Sequence, residues 1–477
     1  MPEYHCTSCG HVYDEEHEGK RFEELDESWH CPVCFTAQSG FIKGDREPIA
    51  VPDIEERTNS QAEPGSGRFR ADQKPWGRES DEFEPYMKDI HEIARTGESI
   101  IEAMRTRKSV IAWDDVLIKG AQLARIPHNE GVQVNTRTVI GPRSEHPLII
   151  ETPIVITHMS FGALSREAKQ ALARGSAAVK TAMSSGEGGI LQESLESSYK
   201  YIFEYVPNKY SVTDKNLKRV DAIEIKFGQG TKPGMGGHLP AEKVTAEIAA
   251  IRGFPQGSDI ISPAHFDEIT SREELKTTVE WLREKSSGRP IGIKVAAGHI
   301  EEDLNIALYA HPDFITIDGR SGATGASSKF VKDATSIPTV FALYRASRYF
   351  REHKVEDVSL IITGGLRISP DFAKALALGA DAVAIGTAAL IAIGCQQYRI
   401  CNTGNCPTGI ATQDPELRSR LNIDEASQGL KNFLQTSTRE LQDFARLTGN
   451  RDVHDLDIKD LCTTNSEISN HTEIEHV

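Results

Sequence analysis

The sequence predicts an α/β protein built on an eight-stranded parallel barrel of the (β/α)8 type, with a small metal-binding domain before it and a helical segment after it. Three observations predict this. Eight short apolar runs recur from Pro153 onward, segments long enough for a helix separate most of them, and many of the runs end in glycine, serine or a charged residue. Parallel strands covered by helices read as continuous Val/Ile runs, and each crossover needs about a dozen residues or more. A doubly wound open sheet shares the alternation, but eight strands is the barrel number.

The 477 residues leave room for two to four domains at roughly 100–200 residues each. With 54 Lys+Arg against 70 Asp+Glu, net −16, and 38% hydrophobic residues, the composition is that of a soluble protein. The acidic balance argues against a nucleic-acid or anionic-membrane partner, which would select a basic face. The start, MPEYHCTSCGHVYDEEHEGK, lacks the basic and apolar regions of a signal peptide, and no run of 18 apolar residues occurs. We therefore expect a cytoplasmic protein.

Seven of the eight cysteines fall into two tight groups. In a chain of this kind such clusters hold metal more often than they form disulfides. The first group, in residues 1–46, is Cys6-x₂-Cys9 and, with 21 residues between, Cys31-x₂-Cys34, two pairs of thiolates that suit iron or zinc. Tyr4, Tyr13, Phe22, Leu25 and Trp29 supply an aromatic set around them. With Cys31-Pro32, these residues resemble a rubredoxin, which implies a mononuclear iron and one-electron transfer; a structural zinc is the alternative. The module holds ten acidic and four basic residues, a local −6 that would complement a basic redox partner.

Residues 47–85 are polar, with Pro and Gly, and read as a linker. A helix is expected from Tyr86 to Arg105, and strands and loops capping one end of the barrel from Val116 to Ile150. The barrel is assigned to residues 151–420. Its strands are expected at Ile154–His158, Ala178–Met183, Ala222–Ile225, Asp259–Ile261, Ile291–Val295, Phe314–Ile317, Leu360–Ile362 and Ala382–Ile385. The gap of about 40 residues between the second and third calls for an insertion or a long loop. Helices are expected at Ser165–Lys180, Pro240–Arg252, Ser271–Lys285, Glu301–Tyr309, Thr339–His353 and Ser369–Leu378. An amphipathic helix within residues 421–462 closes the fold, and residues 463–477 read as a flexible tail.

Chemistry in such a barrel sits at the C-terminal ends of the strands. There the sequence places Met159-Ser160-Phe161-Gly162, a GEGG segment with Glu187, a segment from Lys226 through Lys232 to His238, and a Gly-rich segment with Gly322 and Gly325. Gly364, Gly365 and Arg367 follow the seventh run, and Gly386 and Thr387 the eighth. The last two loops form the usual phosphate site of these barrels. No G-x-G-x-x-G follows a strand, so a phosphorylated cofactor such as FMN is favoured over a nicotinamide dinucleotide. We assign its bed to Met159, Ser160, Gly162, Lys294, Gly322, Gly325, Gly364, Gly365, Arg367, Gly386 and Thr387. The second cysteine group, Cys395-x₅-Cys401-x₄-Cys406, fits a loop wrapped around an iron–sulfur cluster.

MSFGALSREA, SSGEGG, IKFGQGTKPGMGGHLP, DGRSGATGAS, ITGGLR, and IAIGC followed by CPTGIATQDPELR resemble, in order and spacing, the FMN-binding synthase domain of glutamate synthases over about residues 115–450. The resemblance implies FMN in the barrel and a [3Fe–4S] cluster on Cys395, Cys401 and Cys406. It also implies reductive amination of 2-oxoglutarate through 2-iminoglutarate. Lys232 and Arg252 would hold substrate carboxylates, Lys226 would lie near the flavin and the reacting carbonyl, and Glu187 would serve beside them. His238 stands where the family carries a substrate-binding glutamine. The family's glutaminase region is not found in the sequence, so ammonia is expected from solution or from a separate glutaminase subunit. Electrons are expected from an external donor such as a ferredoxin or a reductase; a homo-oligomer stays open. An N-methylglutamate synthase-type subunit using methylamine and a flavin electron-transfer subunit are the competing expectations.

Overall fold

The computed structural model describes residues 3–6, 11–26, 29–32, 36–44, 77–78 and 80–477. The chain divides into two compact units, Met1–Ile100 and Ile101–Val477.

In the first unit, Glu3–Cys6 is the centre of a three-stranded antiparallel sheet, between Val12–Asp14 and Phe41–Gly44. The expected aromatic set forms its core. Tyr4 stacks on Phe22 at 4.2 Å, and Trp29 meets Phe22 edge-on at 5.6 Å. Cys31 is buried, whereas Cys9, Cys34 and the side chain of Cys6 lie outside the described residues, and so does the site expected of them. The helix expected to run to Arg105 is Met87–Thr96. Gly97 ends it in the left-handed conformation, φ 70°, returning its N–H to Ile93. Residues 101–102 pair instead as a strand with Ser327–Ser328.

The second unit is a closed parallel barrel whose strands run Ile154–Ile156, Ala182–Ser184, Lys200–Tyr205, Ala222–Lys226, Ile291–Ala296, Phe314–Asp318, Ser359–Thr363 and Ala382–Ile385. The fold class is as expected, but two strand assignments are corrected. Lys200–Tyr205 is the third strand, within the stretch expected to be an insertion or a long loop. Its Lys and Glu break up the apolar run: Tyr201, Phe203 and Tyr205 join the large core while Ile202 and Glu204 alternate to the inside. Ile260–Ile261 is outside the barrel, paired antiparallel with His238–Leu239. The long excursion instead joins the fourth and fifth strands, and it carries that ribbon together with helices Ala246–Arg252 and Arg272–Lys285. The second strand starts four residues late because Ala178 caps the preceding helix and Lys180 takes a positive φ of 54°.

Inside the barrel the layers change character along the axis. At the N-terminal end Val155, Ala182, Ile202, Ala222, Phe314, Ile361 and Ala382 pack against Ile140, Leu148 and Ile150. The last three come from an antiparallel hairpin, Thr138–Ile140 with Leu148–Ile150, that plugs this end. One pleat higher the second to sixth strands present Ser184, Glu204, Glu224, Lys294 and Thr316, a polar layer facing the open end. Outside, helix Ile423–Leu447, capped by Asn422, lies along helix Arg166–Ala177, where Gly175 lets Leu430 come close.

Residues 463–477, expected to be flexible, are folded. Leu461–Thr463 pairs with Val116–Ile118 and Glu475–His476, helix Ser466–His471 intervenes, and Ile468 and Ile474 are buried. Two apolar anchors in a polar segment suffice to dock it. No described helix is long and apolar enough to cross a membrane.

Candidate functional site

A cavity of about 710 Å³ opens at the C-terminal ends of the strands. Its floor is the polar layer, its walls are glycine-rich loops, and one side is the cysteine loop.

The loops are in backbone contact, which explains several glycines before any ligand is considered. Gly364 and Gly365 take φ of 111° and 86°, and a Cβ on Gly364 would lie 2.7 Å from the Gly319 nitrogen. Gly386 caps the short helix Thr387–Ala392. Met159, Ser160, Lys294, Gly322, Gly325 and Thr387 also line the cavity, whereas Gly162 lies behind the wall, its carbonyl accepting from Gln413 at 3.1 Å. Arg367 reaches the wall, but its guanidinium pairs with Asp114 at 3.0 Å and Asp371 at 3.3 Å, so it brings little free charge.

Glu187 and Lys226 meet at 2.5 Å. Burial alone would push the Glu187 carboxyl up, but the Lys226 ammonium outweighs it and holds the group at about 2. Burial opposes the charge on Lys226 as well, yet Glu187 and Glu204 raise it above the usual lysine range. The backbone N–H of Gly237 donates to the other Glu187 oxygen at 3.2 Å. A methyl group at Gly237 would overlap that carboxylate.

Lys232 is buried and approaches the Ala326 carbonyl at 3.4 Å; burial, and Lys226 next, bring it down to about 8. Arg252 donates to the Phe161 carbonyl at 2.9 Å, keeps its Nε buried with no partner among the described residues, and lies over the Tyr210 ring at 5.5 Å. His238 is at the exposed rim, 3.2 Å from Asp259. Thus Glu187, Lys226, Lys232 and Arg252 converge on one cavity, with His238 at its edge.

Several groups of the site were not foreseen. His158 Nε2 is 2.5 Å from Glu224, which also accepts from Thr316 at 2.5 Å, while His158 Nδ1 stands 3.6 Å from Glu204. Lys169, fully buried, donates to the carbonyls of Met159 (2.8 Å), Ser184 (3.1 Å) and Ser185 (2.8 Å), tying the first two loops together. Burial lowers it to about 7. The available signal was period two: in the third and fourth strands Glu204 and Glu224 occupy inward positions where a barrel core would be apolar.

Cys395, Cys401 and Cys406 all line the same cavity and form no disulfide. Cys401 Sγ contacts Met104 Sδ at 3.7 Å, and Cys406 Sγ lies 3.2 Å from the Thr408 hydroxyl. Lys243, buried beside them, donates to the Cys401 carbonyl at 2.5 Å and the Ala411 carbonyl at 3.1 Å. Among the described residues no three His, Cys, Asp or Glu side chains are grouped to hold a single metal ion. A cluster makes a different demand, because each thiolate binds a different iron.

A closed parallel barrel with charged pairs and buried cations at its C-terminal mouth has the architecture of a (β/α)8-barrel enzyme. Residues 98–451 match the family model described as "Conserved region in glutamate synthase", and the chain belongs to the glutamate synthase family of oxidoreductases. It is 37% identical over 412 residues to the glutamate synthase large subunit-like protein of Rhizobium meliloti (strain 1021), covering 82% of this chain and 93% of that one. It is 40% identical over 323 residues to the archaeal glutamate synthase [NADPH] of Methanocaldococcus jannaschii, covering 67% and 62%. The archaeal glutamate synthase [NADPH] of Archaeoglobus fulgidus aligns over 469 residues at 32%, covering 93% and 86%. The chain thus spans less than two thirds of the Methanocaldococcus jannaschii enzyme.

Proposed function

We propose that this enzyme reductively aminates 2-oxoglutarate to L-glutamate, with FMN in the barrel mouth and an iron–sulfur cluster on Cys395, Cys401 and Cys406. The observation that carries this reading is the convergence of the Glu187–Lys226 pair, Lys232 and Arg252 on a cavity whose wall also bears the three thiols.

Both groups fit the residues present. A cavity of about 710 Å³ is within the ordinary size of cofactor sites, roughly 300–1,000 Å³. Its glycine walls admit close backbone approach, and Arg252 Nε and Asp318 Oδ1 are buried polar atoms without partners among the described residues. The thiols are the donor set for iron–sulfur ligation, and the Lys243 ammonium beside them offsets thiolate charge. When bound, FMN supplies the hydride for the imine carbon and the cluster relays electrons singly.

The chain's own groups do the rest. Lys232 and Arg252 supply cations for two carboxylates, a fixed separation that selects a dicarboxylate of matching length. Lys226, held charged by Glu187, donates to the 2-oxo oxygen and polarises it toward attack by ammonia. A carboxyl at about 2 and an ammonium above the usual lysine range both keep their charges near neutral pH, so this pair orients and polarises rather than shuttling protons. The low exposure of the Lys226 and Glu187 side chains, 11% and 16%, strengthens their interactions.

The test is a purified protein assayed for iron, zinc and flavin, then reduced anaerobically and mixed with 2-oxoglutarate plus ammonia or methylamine. Reoxidation with ammonia is expected. Absence of flavin would sink the reading. Faster reoxidation with methylamine would make the protein an N-methylglutamate synthase-type subunit, and reoxidation with neither amine would make it an electron-transfer subunit.

A further inference from the structure

Glu204 faces into the barrel from the third strand with its side chain 1% exposed. Neither carboxylate oxygen has a hydrogen-bond donor among the described residues. The basic side chains beside it stand off, His158 Nδ1 at 3.6 Å and Lys226 Nζ at 3.9 Å, too far for hydrogen bonds. Its register partner Glu224 is the internal comparison: the same acid on the adjacent strand, and it is satisfied by His158 and Thr316 at 2.5 Å each.

Two carboxylates opposite one another on neighbouring strands repel. A buried carboxylate that exchanges its water hydrogen bonds for charges alone, at 3.6 and 3.9 Å, is costly as well. Folds keep such a group where something else completes it, and Glu204 lines the cavity. The nitrogens of His158 and Lys226 on either side disfavour a metal cation and leave room for a donor N–H.

We propose that Glu204 is a ligand-binding residue whose carboxylate accepts a hydrogen bond from an N–H donor held in the cavity. This rests on the proposed function, which brings two such donors, the ring N–H of FMN and the amine substrate. Apoprotein stripped of flavin would be prepared as wild type, Glu204→Ala and Glu204→Gln. Two quantities are measured: the FMN dissociation constant, from quenching of flavin fluorescence, and the ammonia KM for reoxidation of the reconstituted enzyme by 2-oxoglutarate.

A threefold or greater weakening of FMN binding in Glu204→Ala, with Glu204→Gln between it and wild type, supports the proposal and identifies the flavin as donor. FMN binding within threefold of wild type, with the ammonia KM raised threefold or more, supports it with the amine as donor. Changes below threefold in both overturn it while leaving the proposed function standing. Wild-type protein that binds no FMN overturns the proposed function and this inference together. Should Glu204→Ala fail to fold, Glu204→Gln is judged by the same thresholds.

Discussion

Lys226 and Lys232 are six positions apart and face the same cavity, yet they titrate in opposite directions. Lys226 is close to two carboxylates and is held above the usual lysine range, whereas Lys232 is buried, has the Lys226 charge near it with Glu187 offsetting only part of the cost, and falls to about 8. The sign follows directly: below about 8 Lys232 is charged and, in the proposed function, attracts a substrate carboxylate, and above it the attraction fades. We expect kcat/KM for 2-oxoglutarate to fall as pH rises through about 8, while Lys232→Met removes this limb and lowers kcat/KM about tenfold at pH 7, one charge-assisted contact. A pH–rate profile of both proteins checks it; an alkaline limb that survives in Lys232→Met assigns the ionisation elsewhere. Lys226, Lys232 and Glu187 were legible in the sequence because they follow apolar runs in glycine-rich segments. Glu204, Glu224 and His158 were not, because what they meet inside the barrel depends on which strands become neighbours.

At the scale of elements, the same limitation decided which strands were found. Apolar runs announced the first strand and the fourth to eighth, whereas Lys200–Tyr205 is interrupted by Glu204, whose inward side chain belongs to the site. The glycines between elements were visible in the sequence, but their purpose needed coordinates. Gly237→Ala would drive a methyl into the Glu187 carboxylate and push it off Lys226. The expected result is a fall in kcat of about tenfold or more with the thermal midpoint nearly unchanged, because the site and not the core is disturbed. Gly175→Ala tests packing instead. Alanine favours a helix interior by about 1 kcal/mol over glycine, but its Cβ would lie 2.8 Å from Leu430 Cβ on the neighbouring helix. Overpacking of this kind costs roughly 1–3 kcal/mol, so the clash should outweigh the propensity. A lower denaturant midpoint at unchanged slope is the outcome to look for, and a rise in midpoint would show that the helices simply move apart.

Over the whole molecule, the barrel's two ends divide the labour between stability and chemistry. The hairpin of Thr138–Ile140 and Leu148–Ile150 closes one end with a dry apolar layer, and the other end gathers charged groups and thiols into an open cavity. Burying charge at the mouth is unfavourable for folding, and the closed end must offset it. The sequence suggested a cap from the irregular apolar pattern of residues 116–150, but it did not reveal how deeply the cap enters the barrel, since depth depends on which residues the closed strands bring together. Leu148 is 1% exposed and sits in that layer. Leu148→Ala should therefore cost about 2–5 kcal/mol, the usual range for a buried leucine whose cavity cannot collapse. FMN affinity and the pH dependence of turnover should stay at wild-type values, because the polar layer separates the plug from the mouth. Denaturant unfolding read beside flavin titration decides the matter: a loss of FMN affinity at temperatures where the variant is fully folded would mean that the two ends are coupled through the barrel wall.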